Sequence, residues 1–158
     1  MQPTPPDIQI FTDGSYNAQR ELGVWVALIF VQDTKTTLSG IINNTTHNRM
    51  ELVAVINAIK HVQGHHPPGM VTVFSDSQYV IGLIGRREAL LKTDFKTRSG
   101  NQLVNADLVL QFYNLVANTS VVLEKVKAHQ RKNGVINHNI EADKLCRQLL
   151  RQAVHQSE

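Results

Sequence analysis

Four carboxylates spread along the chain offer the chemistry that the sequence is equipped for. Asp13 closes the apolar run IFTDGS (10–15), Asp76 follows a second apolar run in FSDS (74–77), Glu51 lies near the start of a long amphipathic stretch, and Asp143 opens another. A strand that ends in a carboxylate followed by Gly14-Ser15 pushes that side chain out of a sheet where the chain must turn. If Asp13 is catalytic, the remainder is a scaffold that brings Glu51, Asp76 and Asp143 to it. Grouped carboxylate oxygens suit a hard divalent cation.

The elements that must position them are legible from periodicity. Asp7 to Asp13 alternates as a strand that is apolar on much of both faces, Val24 to Val31 is nearly continuous in β-branched and aromatic residues, and Thr36 to Ile42 is a third strand. The short polar breaks between them predict an antiparallel meander. Thr45 and Thr46 offer capping hydroxyls, and Leu52, Val55, Ile56, Ile59 and Val62 then recur at helical spacing until Gly64 to Gly69 ends the helix. Val71 to Phe74 predicts a short strand, Gln78 to Gly85 a helix, Gln102 to Val116 a helix, Val121 to Val126 a fifth strand, and Asn139 to beyond Leu150 the last helix, with Asp143 in its first turn. If the fourth strand lies parallel beside the first, Asp13 and Asp76 emerge at the same sheet end.

The 158 residues fit one domain: residues 1–6, with Pro3, Pro5 and Pro6, read as a flexible lead-in and residues 7–155 as the domain itself. A composition of 42% hydrophobic and 18% charged residues is that of an ordinary globular protein. No apolar run approaches the roughly 20 residues that span a bilayer, so no membrane role is expected. The N-terminus lacks a basic start and an apolar segment, so nothing marks a signal peptide and a cytoplasmic protein is expected, with a monomer as the expected assembly. The lone Cys146 excludes an internal disulfide. A formal charge of +3 is compatible with nucleic acid, and it is concentrated: residues 86–98 hold Arg86, Arg87, Lys92, Lys96 and Arg98 against Glu88 and Asp94.

Taken in order, IFTDGS (10–15), THNRMEL (46–52), FSDSQYV (74–80) and the stretch from VKAH to NIEAD (126–143) resemble type 1 ribonuclease H along nearly the whole chain. The resemblance implies an α/β, ribonuclease H-like fold: a five-stranded mixed sheet, three antiparallel strands and then parallel ones, flanked by helices. It implies an endoribonuclease that hydrolyses the RNA strand of RNA–DNA hybrids and leaves 5′-phosphate and 3′-hydroxyl ends. Asp13, Glu51, Asp76 and Asp143 match the metal-binding carboxylates, with Asp13 bridging two Mg²⁺ ions for which Mn²⁺ can substitute. His129 matches the loop histidine assigned to proton transfer or product release, although His138 in the same loop is a second candidate. Thr46, Asn48 and Gln78 match positions near the hybrid, and Arg86, Arg87, Lys92, Phe95, Lys96 and Arg98 fall where the family carries a basic protrusion. The residue before Asn48, commonly asparagine in the family, is His47 here.

The chemistry explains the need for several acids. Two divalent ions roughly 4 Å apart can activate a water and stabilise charge on a leaving oxygen, and their combined charge demands several anionic oxygen ligands. A histidine with an ordinary pKa near about 6.5 can exchange a proton near neutrality. Contacts to 2′-hydroxyls on one strand and to phosphates of the other would select a hybrid. Two alternatives share the fold: a non-catalytic hybrid-binding module of a polymerase polyprotein, and a DNA recombinase or resolvase. His61, His65, His66 and His155 read as surface residues, Cys146 and Trp25 as core.

Overall fold

The computed structural model describes residues 5–65, 69–127 and 137–156. Among these, β1 (Ile8–Asn17), β2 (Leu22–Val31) and β3 (Thr34–Asn43) precede α1 (His47–His65), followed by β4 (Val71–Ser75), α2 (Gln78–Lys92), α3 (Ala106–Ala117), β5 (Val121–Lys125) and α4 (Asn139–Gln156). They form one five-stranded sheet in the order β3-β2-β1-β4-β5. β1 and β2 pair antiparallel, as do β2 and β3, whereas β1 with β4 and β4 with β5 are parallel. The meander is as the short polar breaks predict, and the mixed five-stranded sheet is as the family resemblance implies.

Two apolar layers hold the sheet. On one face α1 packs against β1 and β2 with α3 beside it, and on the other α4 packs against the same two strands. This is why β2 reads as continuously apolar: Trp25, Ala27 and Ile29 join the α1 core, and Val24, Val26 and Leu28 join the α4 core with Ala142 and Cys146. Trp25 and Cys146 are therefore core residues, as expected.

Several placements differ from the sequence reading. β1 does not stop at Asp13 but continues to Asn17, because its pairing with β2 runs on from Asp13↔Val26 to Asn17↔Leu22. Its pairing with β4, however, ends at Phe11↔Phe74, so Asp13 stands where one neighbouring strand has already left the sheet. α2 does not end at Gly85. Gly82 and Gly85 sit inside it with open space around them, and a glycine in a helix interior costs only about 1 kcal/mol. α3 begins at Ala106 rather than Gln102, since Leu103 donates its backbone N–H to Phe95 and Lys96 bridges to Gln102 in an extended arm. Asp143 is in the second turn of α4, and Glu141 is the acid of the first turn, so the helix dipole acts on Glu141 instead.

One glycine decides how closely α1 approaches the site. A Cβ on Gly14 would lie 2.9 Å from the Glu51 backbone nitrogen and 2.9 Å from Met50 Cβ. Gly14 thus lets the start of α1 rest directly on β1, with Met50 and Leu52 buried on either side of Glu51. Replacing Gly14 with alanine should push the start of α1 outward, lower stability by about 1–3 kcal/mol in denaturant titrations, and weaken divalent-ion binding in calorimetry.

Candidate active site

Each candidate carboxylate comes from a different element. Asp13 projects from β1 beyond the end of β4, Glu51 from the first turns of α1, Asp76 from the link between β4 and α2, and Asp143 from α4. Because β4 stops at Ser75, groups from both faces of the sheet can meet over its end. Carboxylate oxygens of Asp13, Glu51 and Asp76 lie within 4.8 Å of one another, which is the only such group of three or more potential metal ligands among the described residues. Asp143 lines the same open cleft, of about 730 Å³, together with His47, Asn48, Gln78, Tyr79 and Arg147.

Burial gives the cluster its electrostatic character. Asp13 is 4% exposed and Glu51 2%. Loss of water, followed by the negative charge of Glu51, Asp76 and Asp143 in that order, pushes the Asp13 carboxyl up to about 9, with one backbone hydrogen bond from Gly14 acting against it. Glu51 is raised too, mainly by burial and then by Asp76, while His47 pulls it back. Asp13 Oδ2 and Glu51 Oε2 are buried with no hydrogen-bond partner. Like charges stripped of water and left without donors are costly, and a cation removes that cost. The all-oxygen donor set fits a hard divalent ion, in line with the expected chemistry.

The surrounding contacts fix each acid. His47 Nε2 lies 3.0 Å from the Gly14 carbonyl oxygen and 3.2 Å from Glu51 Oε1; both are acceptors, so this nitrogen carries the proton. The Glu51 hydrogen bond is the main reason His47 is raised above the usual imidazole range. Asn139, at the start of α4, donates from Nδ2 to the buried Thr12 carbonyl at 3.2 Å, which ties α4 to β1 one residue before Asp13. Arg147 Nε donates to Asp143 Oδ1 at 3.2 Å, one helical turn away. Arg49 makes paired 3.0 Å hydrogen bonds to Asp107 and reaches Asn105, securing the start of α1 to α3.

The other candidates are distributed unevenly. Asn48 and Gln78 line the cleft, and Thr46 is exposed just before α1, where its hydroxyl accepts from the Arg49 N–H at 3.3 Å. Arg86, Arg87 and Lys92 ride on α2, beyond the cleft, with Arg87 5.9 Å from the centre of the Tyr113 ring and Lys92 paired with Glu88. Lys96 and Arg98 are exposed on the arm after α2. Phe95 does not belong to that surface. It is 8% exposed and packs in the main core near Tyr113, because Asp94 and Phe95 both adopt positive φ and turn the ring inward at the end of α2.

His129 lies outside the described residues. His138 turns away from the cleft: its ring packs at 4.2 Å from Phe30 and 5.1 Å from Phe11, and it pairs with Glu141. Sequence reasoning missed Arg147, although its position four residues after Asp143 on a helix is a readable signal.

Comparison with known proteins closes the argument on family. Residues 5–151 match the RNase H family model. The chain belongs to the RNase H family. It is 33% identical over 145 residues to a ribonuclease H of Chlorobium luteolum, covering 90% of this chain and 94% of that one. It is also 35% identical over 124 residues to a ribonuclease H of a Thermoanaerobacter species, covering 77% and 78% of the two chains. A solved type 1 RNase H with the type 2 active-site motif superposes with a TM-score of 0.74 at 22% identity, over 92% of this chain and 72% of that one, and shares its fold. The family sets aside the recombinase reading, and the enzyme is a ribonuclease H.

The titration of Asp13 supplies a test with a definite sign. Its carboxyl sits near 9 in the folded, metal-free protein and near 3.8 as a free group, so between these values the native state holds more protons than the unfolded one. Stability from this group falls as pH rises through that window. Metal-free protein should therefore lose melting temperature between pH 5 and pH 8, and Asp13→Asn should melt higher than wild type at pH 8, with the difference shrinking when divalent ion is added. Differential scanning calorimetry reads both.

Proposed function

We propose that this cleft hydrolyses the RNA strand of RNA–DNA hybrids with the help of two divalent cations, Mg²⁺ being the natural pair and Mn²⁺ a substitute. The observation that carries the proposal is the meeting of Asp13, Glu51 and Asp76 within 4.8 Å, two of them buried and without donors for one oxygen each. Asp13, flanked by all the others, would hold such ions together with Glu51, Asp76 and Asp143. When bound, such a pair of ions supplies an activated water at neutral pH and neutralises charge on the leaving oxygen, so the products carry 5′-phosphate and 3′-hydroxyl ends.

The protein groups around the acids hold them and the substrate in register. His47 restrains Glu51, Asn139 holds the start of α4 against β1, and Arg147 restrains Asp143. Asn48 and Gln78, exposed in the cleft, are assigned to 2′-hydroxyls and minor-groove edges of the hybrid. Thr46, at the foot of α1, and the cations of α2 and its arm, Arg86, Arg87, Lys92, Lys96 and Arg98, are assigned to backbone phosphates. His129 is assigned to proton exchange after the cut, on the grounds of its place in the VKAH motif. Residues 7–155 are taken to act as one domain, since the family match runs through almost all of them, and the domain is taken to act as a monomer.

Incubation of the protein with end-labelled hybrid, duplex RNA and duplex DNA, with Mg²⁺ or with chelator, tests the proposal. Only the hybrid should be cut, only with the metal, and only in its RNA strand. Asp13→Asn should lower cleavage by more than about 100-fold, beyond what loss of an outer-shell partner costs, while hybrid binding persists. An uncut hybrid, or equal cutting of duplex DNA, would refute it.

A further inference from the structure

Beside the cleft, an exposed lysine makes a short contact that the reaction as described does not use. Lys125 is the last residue of β5 and donates from Nζ to Gln78 Oε1 at 2.6 Å. Both partners stand on fixed backbone. Lys125 is in register with Ser75 of β4, and the next residue, Val126, donates its N–H to the Ser75 carbonyl at 3.0 Å. Gln78 is the first residue of α2, whose cap Ser77 accepts from the Val80 N–H at 3.2 Å and donates its own N–H to Ser75 Oγ at 3.0 Å. Alternation along β5 puts Lys125 on the same sheet face as Val121 and Leu123, which pack towards the main core.

The contact settles the orientation of the Gln78 amide. A lysine ammonium has donors only, so the atom that faces it must be the carbonyl oxygen. The Nε2 amide group is then turned away from Lys125, on a residue that lines the cleft with Asp13, Glu51 and Asp76. Held in this way, Gln78 keeps its carbonyl oxygen on the lysine side and turns its two N–H donors away from it. That suits the purine N3 and pyrimidine O2 acceptors of a minor groove, or the oxygen of a 2′-hydroxyl. A free glutamine could present either end and would lose rotamer freedom on binding.

We propose that Lys125 is a positioning residue for substrate recognition, which fixes the Gln78 amide so that its N–H donors read the hybrid beside the catalytic carboxylates. The inference rests on the ribonuclease H reading of the cleft. Because an exposed contact of this sort adds little to folding, its loss should be felt in binding rather than in stability.

The test compares wild type with Lys125→Met, Lys125→Arg, Gln78→Ala and the Lys125→Met/Gln78→Ala pair, on labelled hybrid, reading KM and kcat with Mg²⁺ and Kd with Ca²⁺ at several salt concentrations. Lys125→Met should raise KM and Kd about fivefold with kcat changed less than about twofold. Gln78→Ala should do the same, the pair should be no worse than either alone, and Lys125→Arg should recover most of the loss. The salt dependence should match wild type. Additive effects, an unchanged KM, or a salt slope lower by about one unit, which would mark a direct phosphate contact, would overturn the assignment. If wild type left the hybrid uncut, the ribonuclease reading would fail, and the Kd comparison would still decide the role of Lys125.

Discussion

Crowded negative charge in a dry place is the constraint on which this structure depends. Asp13 and Glu51 are almost wholly buried beside Asp76, and each keeps an oxygen without a hydrogen-bond donor. In isolation such an arrangement opposes folding, since burial and like charge both disfavour ionised carboxylates. The fold tolerates it because the surrounding apolar layers are extensive and because the acids hang on the best-packed elements. β1 is buried on both faces, α1 is buried along Met50, Leu52, Val55, Ile56 and Ile59, and Gly14 removes the one Cβ that would keep them apart. The site is thus a local cost carried by a stable frame, which is common where function demands preorganised charge.

Sheet topology supplies the opening for that charge. β1 outruns β4, so the sheet has a notch beyond Phe74. Into this notch come one acid from the strand, one from each of two helices packed on opposite faces, and one from the turn that leaves the sheet. No single element could crowd the four together. The charge around the cleft is partitioned: acids gather at the notch, whereas the cations of α2 and the following arm stand outside it.

Much of this was readable from residues alone, because the signals were strong and local. The period-two alternation from Ile8, the continuous apolar run from Val24, and the helical spacing from Leu52 each specify an element whichever partners it finds. The acids were readable because each sits beside a turn or a helix start. What escaped depended on packing between distant segments. Gly85 suggested a helix end that the buried Val80, Leu83 and Leu90 override. Phe95, flanked by charges in sequence, is turned inward by two left-handed residues. His138 and the contact between Lys125 and Gln78 are set by neighbours far away in the chain, Phe11 for the one and a partner 47 residues distant for the other, separations that no local pattern records.

The central claim is that the carboxylates share protons until divalent ions replace them. Titrating Ca²⁺ or Mg²⁺ into the protein by calorimetry at pH 7.5, in buffers of different ionisation enthalpy, measures that exchange directly. The account predicts a net release of protons on ion binding, abolished by Asp13→Asn. Tight binding with no protons released would contradict it.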